Sequence, residues 1–320
     1  MKTYSFLLHS NKVYSIKFTV RSYKKLYESK KSLRSIVKKF KFAGYMDIFA
    51  NIFAYDFLTN AFIASILSGI TCGIVGSYIV TRRIVFLSSG ITHASFGGLG
   101  IALYAGINPI LGALSFAALS SIGIEFASRR GRMREDSVVG IIWSFGMAIG
   151  ALFMSLRPGY ATDLTSYLFG NILLVTRTDI VWLGIVASLL VIATLIWLRK
   201  IMYITFDEEY AASQGINISM VAYIMAVVIA VVIVLSIKVM GIILLLSLIT
   251  IPTVIANSIT KDYKQITLIS TVIAIVGNIC GFILSYEYDI PTGSCIIFIL
   301  ILLLIGVKLL TLRKSRVKHT

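Results

Sequence analysis

The stretch SMVAYIMAVVIAVVIVLSIKVMGIILLLSLITIPTVIAN, at residues 219–257, decides the fold class. Its only charged residue is Lys238, which separates two apolar runs. About 20 consecutive apolar residues cross the hydrocarbon core of a bilayer as one α-helix. Each run therefore predicts one membrane span, and the two spans follow each other almost without a connection.

The composition extends this interpretation to the whole chain. Of the 320 residues, 58% are hydrophobic and 14% are charged, and the mean hydropathy is +0.90. Soluble domains are about 25% charged and carry fewer apolar residues. The composition therefore excludes a soluble globular protein and predicts an all-α polytopic membrane protein. The apolar runs predict about nine transmembrane helices, at residues 57–80, 84–105, 109–128, 137–156, 180–198, 219–237, 239–257, 266–285 and 293–310.

The charges in the connections predict the orientation. Fourteen Lys and Arg residues fall in one set of alternate connections, and only three, Arg157, Arg177 and Lys238, fall in the other set. Because cytoplasmic loops carry the excess of cations, the C-terminus is predicted to lie in the cytoplasm.

Residues 1–45 differ from the rest of the chain in charge. They contain 12 Lys or Arg residues and one acid, whereas residues 46–320 contain 18 and 13. Nine spans would place this tail outside, against the charge rule. We predict a basic N-terminal extension at 1–45, either an over-long translation start or a disordered element, and a transmembrane domain at 46–320. A chain that starts at Met46 is predicted to insert normally.

The sequence lacks the motifs of the common enzyme classes. It contains no GxxxxGKS or GxxxxGKT, no HExxH and no GxSxG, and its only histidines are His9, His93 and His319. A P-loop ATPase, a zinc protease and a serine hydrolase each require one of these motifs. The chain is therefore predicted not to be an enzyme.

His93 is the histidine that falls inside a span. Ser89 lies four residues before it and shares its helix face, with Thr92 beside them. The glycines that surround and follow it predict a thin or broken helix, which occurs at membrane depth where it lines a cavity. His93, Ser89 and Thr92 are therefore predicted to line a substrate path, with His93 as a metal ligand. A histidine that only packs between helices is an equal alternative.

The connection at 206–216 contains a cluster of acids between two spans. It predicts a short helix with acids in its first turn and a glycine at its end, directed towards a cytoplasmic partner. A solvated connecting helix is the alternative. The predicted coupling residues are Asp207, Glu208, Glu209, Ala212 and Gly215.

Two further polar stretches have ordinary explanations. Glu135 and Asp136 lead into a span next to basic residues and indicate a helix start. Asp289 and Pro291 precede the last span and are typical turn residues, although Asp289 can also meet an incoming substrate.

These stretches, in this order, resemble the permease family of metal-type ABC importers. The family pattern RRMxLxGDAxSHA is matched in part by Arg82-Arg83-Ile84 and by Ser88-Ser89-Gly90-Ile91-Thr92-His93-Ala94. The resemblance continues through the stretches at 134–141, 166–171, 206–209, 239–245, 251–252 and 289–293 and covers about 50–314. The family's acid is Ser89 here, and a serine is a weaker metal ligand than a carboxylate.

The resemblance implies a type-II importer bundle in a bacterial cytoplasmic (inner) membrane. It also implies a homodimer of permeases that imports zinc, manganese or iron, with cytoplasmic ABC ATPase subunits and an extracytoplasmic metal-binding protein. ATP is then used by the ATPase, and this chain binds no cofactor and no nucleic acid. Two other functions stay open: an importer of a metal chelate, and a channel-like protein that needs no ATPase.

Overall fold

Nine α-helices and one short 3-10 helix make up the secondary structure of the described residues. The computed structural model describes residues 54–131, 133–156, 170 and 172–317, with Leu173 and residues 312–317 described by their backbone alone. No strand occurs among them. The helices are α1 (Asp56–Thr81), α2 (Val85–Ala105), α3 (Pro109–Arg129), α4 (Glu135–Ser155), the 3-10 helix (Ile172–Leu174), α5 (Arg177–Phe206), α6 (Glu208–Ser213), α7 (Ile218–Ile259), α8 (Tyr263–Tyr288) and α9 (Thr292–Val317).

Helix α7 contains both spans of the opening stretch. Its 42 residues would extend about 63 Å if the helix were straight. Yet Asn217, just before its start, and Tyr263, just after its end, line the same cavity. The chain therefore reverses at Gly241, where φ is 77° and ψ is 167°, a conformation available essentially to glycine alone.

This reversal confirms the predicted number of spans. Eight helices of the described part are long and apolar enough to cross a membrane. Because α7 supplies two crossings, at 218–240 and 242–259, these helices make nine crossings. The backbone of Gly170 lies against Met240 and Gly241, so close that a side chain at Gly170 would overlap them.

Helix α5 extends further than predicted. The predicted span ends at residue 198, whereas the helix ends at Phe206. Arg199 and Lys200 end the apolar run, but they do not end a helix, because both are good helix formers. Hydropathy predicts where the chain leaves the hydrocarbon core, but it does not predict where the helix ends.

Helix α1 packs against α8 through a ridge of small residues. Gly69 and Gly73 face Ile275 and Thr271 of α8 so closely that a Cβ at either glycine would overlap the α8 backbone. A hydrogen bond also joins these helices, since Ser270 Oγ donates to the Gly73 carbonyl at 2.8 Å. The small residues therefore let the two helix backbones approach closely.

Helix α2 corrects the prediction of a thin or broken segment. It is one continuous helix from Val85 to Ala105. Gly98 packs against the backbone of Gly112 in α3, and Gly100 packs against Gly150 in α4. The neighbouring helices fill the space that the glycines leave, so the backbone keeps its helical hydrogen bonds.

Alternation of the crossings gives the bundle two ends. One end, called the basic end here, holds the connections at 82–84, 130–134, 207–217 and 260–262. The opposite end holds the start of α1, the connection at 106–108, Gly241 and the turn at 289–291. There Arg177 donates to Asp56 at 2.9 Å and joins the starts of α5 and α1. The predicted boundary at 45/46 lies outside the described residues.

Candidate functional site

His93 lies on an α2 face that turns towards α4. Its half-buried ring stacks parallel to the indole of Trp143, with ring centroids 4.3 Å apart and an interplanar angle of 1°. Phe86, two turns earlier in α2, also contacts Trp143, at 6.0 Å between centroids. Among the described residues, no group forms a hydrogen bond to either ring nitrogen of His93. Both nitrogens therefore stay available to a ligand.

The structure separates the three residues of the predicted path. Ser89 is half-buried like His93 and lies one turn before it on the same helix face. Thr92 is fully buried, and its hydroxyl donates to the Ser88 carbonyl at 2.6 Å. His93 and Ser89 thus form a pair on one face, whereas Thr92 is directed into the bundle. Among the described residues, no cluster of three or more His, Cys, Asp or Glu side chains occurs.

The predicted helix of the acidic connection is present as α6. Asp207 caps it by accepting from the Tyr210 backbone N–H at 2.9 Å, and Glu208 and Glu209 occupy its first turn. Gly215 follows the helix in the left-handed conformation, with φ at 75°. Ala212 is exposed on its surface. The sequence predicted this local geometry because each of these residue types favours the conformation that its position requires.

Glu208 corrects the prediction that all three acids point away from the bundle. Its carboxylate forms an ion pair with Arg82, in the α1–α2 connection, and lies 3.4 Å from the Arg129 guanidinium at the end of α3. Asp207 and Glu209 are exposed, as predicted. Glu208 therefore fastens α6 to the body of the bundle.

A network of polar side chains surrounds this contact. Arg82 donates to the Tyr78 hydroxyl at 2.8 Å, and Arg129 forms an ion pair with Glu125 one turn earlier in α3. Burial by itself lowers the pKa of the Arg82 guanidinium, but Tyr78 and Glu208 outweigh it and hold that pKa above its usual range. We call Tyr78, Arg82, Glu125, Arg129 and Glu208 the basic-end cluster.

Sequence reasoning missed most of this cluster. A signal was present, because Glu125 and Arg129 stand four residues apart at the end of an apolar run, which is the spacing of a helical ion pair. The cluster borders a cavity of about 200 Å³ that Glu135 also lines. Glu135 and Asp136 lie in the first turn of α4, as the helix-start prediction required.

The opposite end contains a larger cavity. It measures about 610 Å³ and lies between the turn at 289–293, the end of α8 and the start of the second half of α7. Asp289 ends α8 in the left-handed conformation, with φ at 52°. Ser285 Oγ donates to the Ile290 carbonyl at 2.6 Å and lies 2.7 Å from the Thr292 hydroxyl. Asp289 is therefore both a turn residue and a wall of the cavity.

Lys238 has a local partner near the reversal of α7. Its ammonium lies 2.6 Å from the Asp179 carboxylate, which also accepts from Thr176 in the capping box that starts α5. This pairing explains how one cation is held in the longest apolar stretch of the chain.

The fold and these sites define a polytopic α-helical membrane protein with polar side chains at both ends and one histidine on a helix face between them. The chain belongs to the ABC 3 transport family, whose sequence model matches residues 54–311. This membership confirms the resemblance to metal-type ABC importer permeases. The family is a class of transport proteins and not a class of enzymes.

Several curated relatives cover most of this chain. A "Probable metal transport system membrane protein" of Chlamydia muridarum is 36% identical over 245 residues, which are 75% of this chain and 84% of that protein. A "Manganese transport system membrane protein" of Halalkalibacterium halodurans is 30% identical over 252 residues, 78% of this chain and 86% of that protein. An "Uncharacterized membrane protein" of Synechocystis is 34% identical over 246 residues, 77% of this chain and 87% of that protein.

Solved structures share the fold. The structure of PsaBC from Streptococcus pneumoniae in complex with Fab matches with a TM-score of 0.74 and 25% identity, over 82% of this chain and 95% of that chain. An inward-facing ABC transporter described as metal-chelate type matches with a TM-score of 0.60 and 14% identity, over 78% and 85%. The second match concerns the fold alone.

Proposed function

We propose that this chain is the permease of an ABC importer that carries a divalent metal ion: manganese, zinc or iron. The observation that carries the proposal is the family match across residues 54–311, together with the metal-transport names of relatives that are 36% and 30% identical. The excess of cations at the basic end supports a cytoplasmic position for that end and for the C-terminus. The membrane is then the bacterial cytoplasmic membrane.

The path of the ion is proposed to pass His93. Both of its ring nitrogens lack a hydrogen-bond partner among the described residues, and Ser89 offers a hydroxyl one turn away. Imidazole suits zinc, iron and related cations, and a transport path requires binding that is weak enough for release. A two-fold homodimer would supply a second copy of the pair. Thr92 then has a structural role and is not a ligand, since its hydroxyl donates to the Ser88 carbonyl of the same helix.

Coupling to a cytoplasmic ATPase is proposed to occur through α6. Asp207, Glu209 and Ala212 are exposed and available to a partner. Glu208 joins the helix to Arg82 and Arg129, which lie at the ends of α1 and α3. A movement of α6 would therefore reach both helices through one carboxylate. In this proposal ATP is used by the ATPase, and the permease binds no cofactor of its own.

The coupling proposal predicts that Ala212→Trp uncouples ATP hydrolysis from transport, because a bulky side chain separates α6 from its partner. ATP hydrolysis per assembled complex should lose its dependence on metal, and uptake should fall. Gln265→Trp, an exposed change in another part of the same end, is the control. Unchanged uptake in the Ala212 variant would contradict docking at α6. Gly215 is a poorer probe, because any side chain strains its positive φ.

The substrate is tested by reconstituting the chain with the cytoplasmic ABC ATPase and the extracytoplasmic metal-binding protein that the proposal requires. The proposal expects ATP hydrolysis that rises with one of manganese, zinc or iron, together with accumulation of that ion. Stimulation only by a chelated metal would favour the chelate importer. Ion flux through the permease alone, without ATP, would favour the channel.

Residues 1–45 are proposed to be dispensable. Nine spans would place them outside, where a segment with 12 cations is disfavoured. A chain that starts at Met46 should reach the membrane in the same amount as the full chain and support the same uptake. Loss of membrane insertion in the shortened chain would show that the segment is a working element.

A further inference from the structure

An apolar groove runs between α1, α5 and the first half of α7 at the basic end. It measures about 450 Å³. Its inner wall is built from aliphatic side chains, among them Val75, Leu190, Ile204 and Val228. Its outer side is open, because the lining residues Trp197, Met220 and Ile224 are 52%, 60% and 49% exposed. In a membrane, an exposed apolar side of this kind is covered by lipid or by another protein.

The mouth of the groove lies where the hydrocarbon core ends. Helix α5 is 30 residues long, about 45 Å, whereas the core is about 30 Å thick. Trp197, Arg199 and Lys200 come about 20 residues after the α5 start and form the aromatic and basic belt that is typical of an interface. The groove therefore reaches from the hydrocarbon core to the headgroup region of one leaflet.

One positive charge lies at the mouth. Of the described residues that line the groove, Lys200 is the only charged one. It is exposed, and no described residue forms an ion pair or hydrogen bond with it. The side-chain amides of Gln214 and Asn217 stand at the same mouth. Arg199 is exposed beside Lys200 but does not line the groove.

We propose that this groove binds an anionic phospholipid of the surrounding bilayer. One acyl chain fills the apolar part, and the phosphate of the headgroup contacts Lys200 with the polar side chains of Gln214 and Asn217. Basic pockets between transmembrane helices on the cytoplasmic side are known to hold anionic headgroups. The unpaired lysine at the mouth makes the site selective for charge, and the apolar wall alone would accept any lipid.

The groove continues into the proposed coupling helix. Gln214, Gly215 and Ile216, which follow α6, form part of its wall, and Tyr78 belongs both to the groove and to the basic-end cluster. A bound lipid would therefore support the position of α6. This consequence rests on the proposed function, whereas the lipid site itself does not.

The site is tested in nanodiscs that contain the full chain with Trp197 as its single tryptophan, after Trp143→Phe and Trp182→Phe. Quenching of Trp197 is measured with brominated phosphatidylglycerol and with brominated phosphatidylcholine in separate titrations. We expect phosphatidylglycerol to associate about fivefold more strongly, the effect of one lysine near a membrane surface. Lys200→Gln should abolish this preference, and Arg199→Gln, which removes a neighbouring charge outside the groove, should retain it.

Three results would overturn the proposal. Equal quenching by the two lipids would show that the groove does not select charge. Equal loss of preference in the Lys200 and Arg199 variants would show only a general surface potential. Absence of quenching by either lipid would show that protein, such as a second copy of this chain, covers the groove. None of these results depends on transport, so the proposed function is judged separately.

Discussion

Helices α1 and α2 are both rich in glycine and both lie at the centre of the bundle, yet they use glycine differently. In α1, Gly69 and Gly73 form a ridge against α8, where polar side chains cross the interface, and Gly76 lies against Ile249 of α7. In α2, the glycines contact two neighbours, α3 and α4. In the described part of the chain, no side-chain hydrogen bond joins α2 to either of them.

This difference shows what glycine achieves in each helix. Along α1 it brings two backbones together and lets hydroxyl and amide groups reach across. Along α2 it permits close packing against both α3 and α4, and His93 stacks on Trp143 on the side that faces α4. The proposed path past His93 therefore requires no break in the helix, because a continuous helix can present half-buried side chains beside a neighbouring helix.

The largest effect on stability is expected where a new side chain would fill the contact between α2 and α3. A Cβ in Gly98→Ala would overlap the Gly112 carbonyl oxygen and crowd Phe116. The backbone of α2 or α3 would have to move to relieve this overlap. We expect a loss of about 3 kcal/mol in the free energy of unfolding, the upper end for an overpacked core. The measurement is reversible unfolding in mixed micelles with increasing SDS.

Gly123→Ala in α3 is the matched control for Gly98→Ala. The nearest atom to its new Cβ would be Ile142 Cδ1 at 3.8 Å, an ordinary contact. This variant should remain within about 1 kcal/mol of the unaltered chain and on the stabilising side, as expected for Ala in place of Gly in a helix. Equal losses in both variants would show that helix propensity, and not close packing, determines the effect.

The second prediction concerns the α2 face that carries His93. His93→Phe retains an aromatic ring to stack on Trp143 and removes both ring nitrogens. If His93 is a path ligand, uptake per assembled complex should fall at least about tenfold, because even residues that only support a metal ligand contribute that much. Assembly should stay normal.

Two further variants separate ligation from packing at His93. Trp143→Phe keeps the nitrogens and an aromatic partner, so its uptake should stay near that of the unaltered chain. His93→Ala removes stacking and ligation together and should lower both stability and uptake. Normal uptake by the His93→Phe permease would show that the residue only packs, and the path assignment would then be abandoned.

Hydropathy and charge were sufficient for the fold. The nine spans followed from the apolar runs. Lys238 indicated that residues 219–257 form two spans, because a charged residue interrupts an apolar run. The partner of Lys238, Asp179, lies 59 residues away in sequence and could not be predicted. Local signals at α6 were equally sufficient, since caps and turns depend on neighbouring residues.

The sites were less predictable because they depend on contacts between distant residues. The sequence identified Glu208 as acidic and surface-directed, but its pairing with Arg82 joins positions 126 residues apart. The glycines of α2 suggested a broken helix because the sequence does not show that α3 and α4 fill the space beside them. His93 became a candidate because a histidine in an apolar span is rare, yet its stacking on Trp143 required the structure.

The smallest expected effect is at the polar contacts of α1 with α8. Asn278 Nδ2 donates to the Ser65 carbonyl at 3.0 Å, while its buried Oδ1 has no hydrogen-bond partner among the described residues. Hydrogen bonds between transmembrane helices contribute about 0.6 kcal/mol on average. Asn278→Ala also removes the unpaired Oδ1, which offsets part of that loss, so we expect a change of about 0.5 kcal/mol or less in the free energy of unfolding. Ser270→Ala, which removes a donor to Gly73 and no unpaired acceptor, should cost slightly more. A loss above about 2 kcal/mol for Asn278→Ala, beyond the largest value expected for such a bond, would show that polar contacts, and not the glycine ridge, hold α1 to α8.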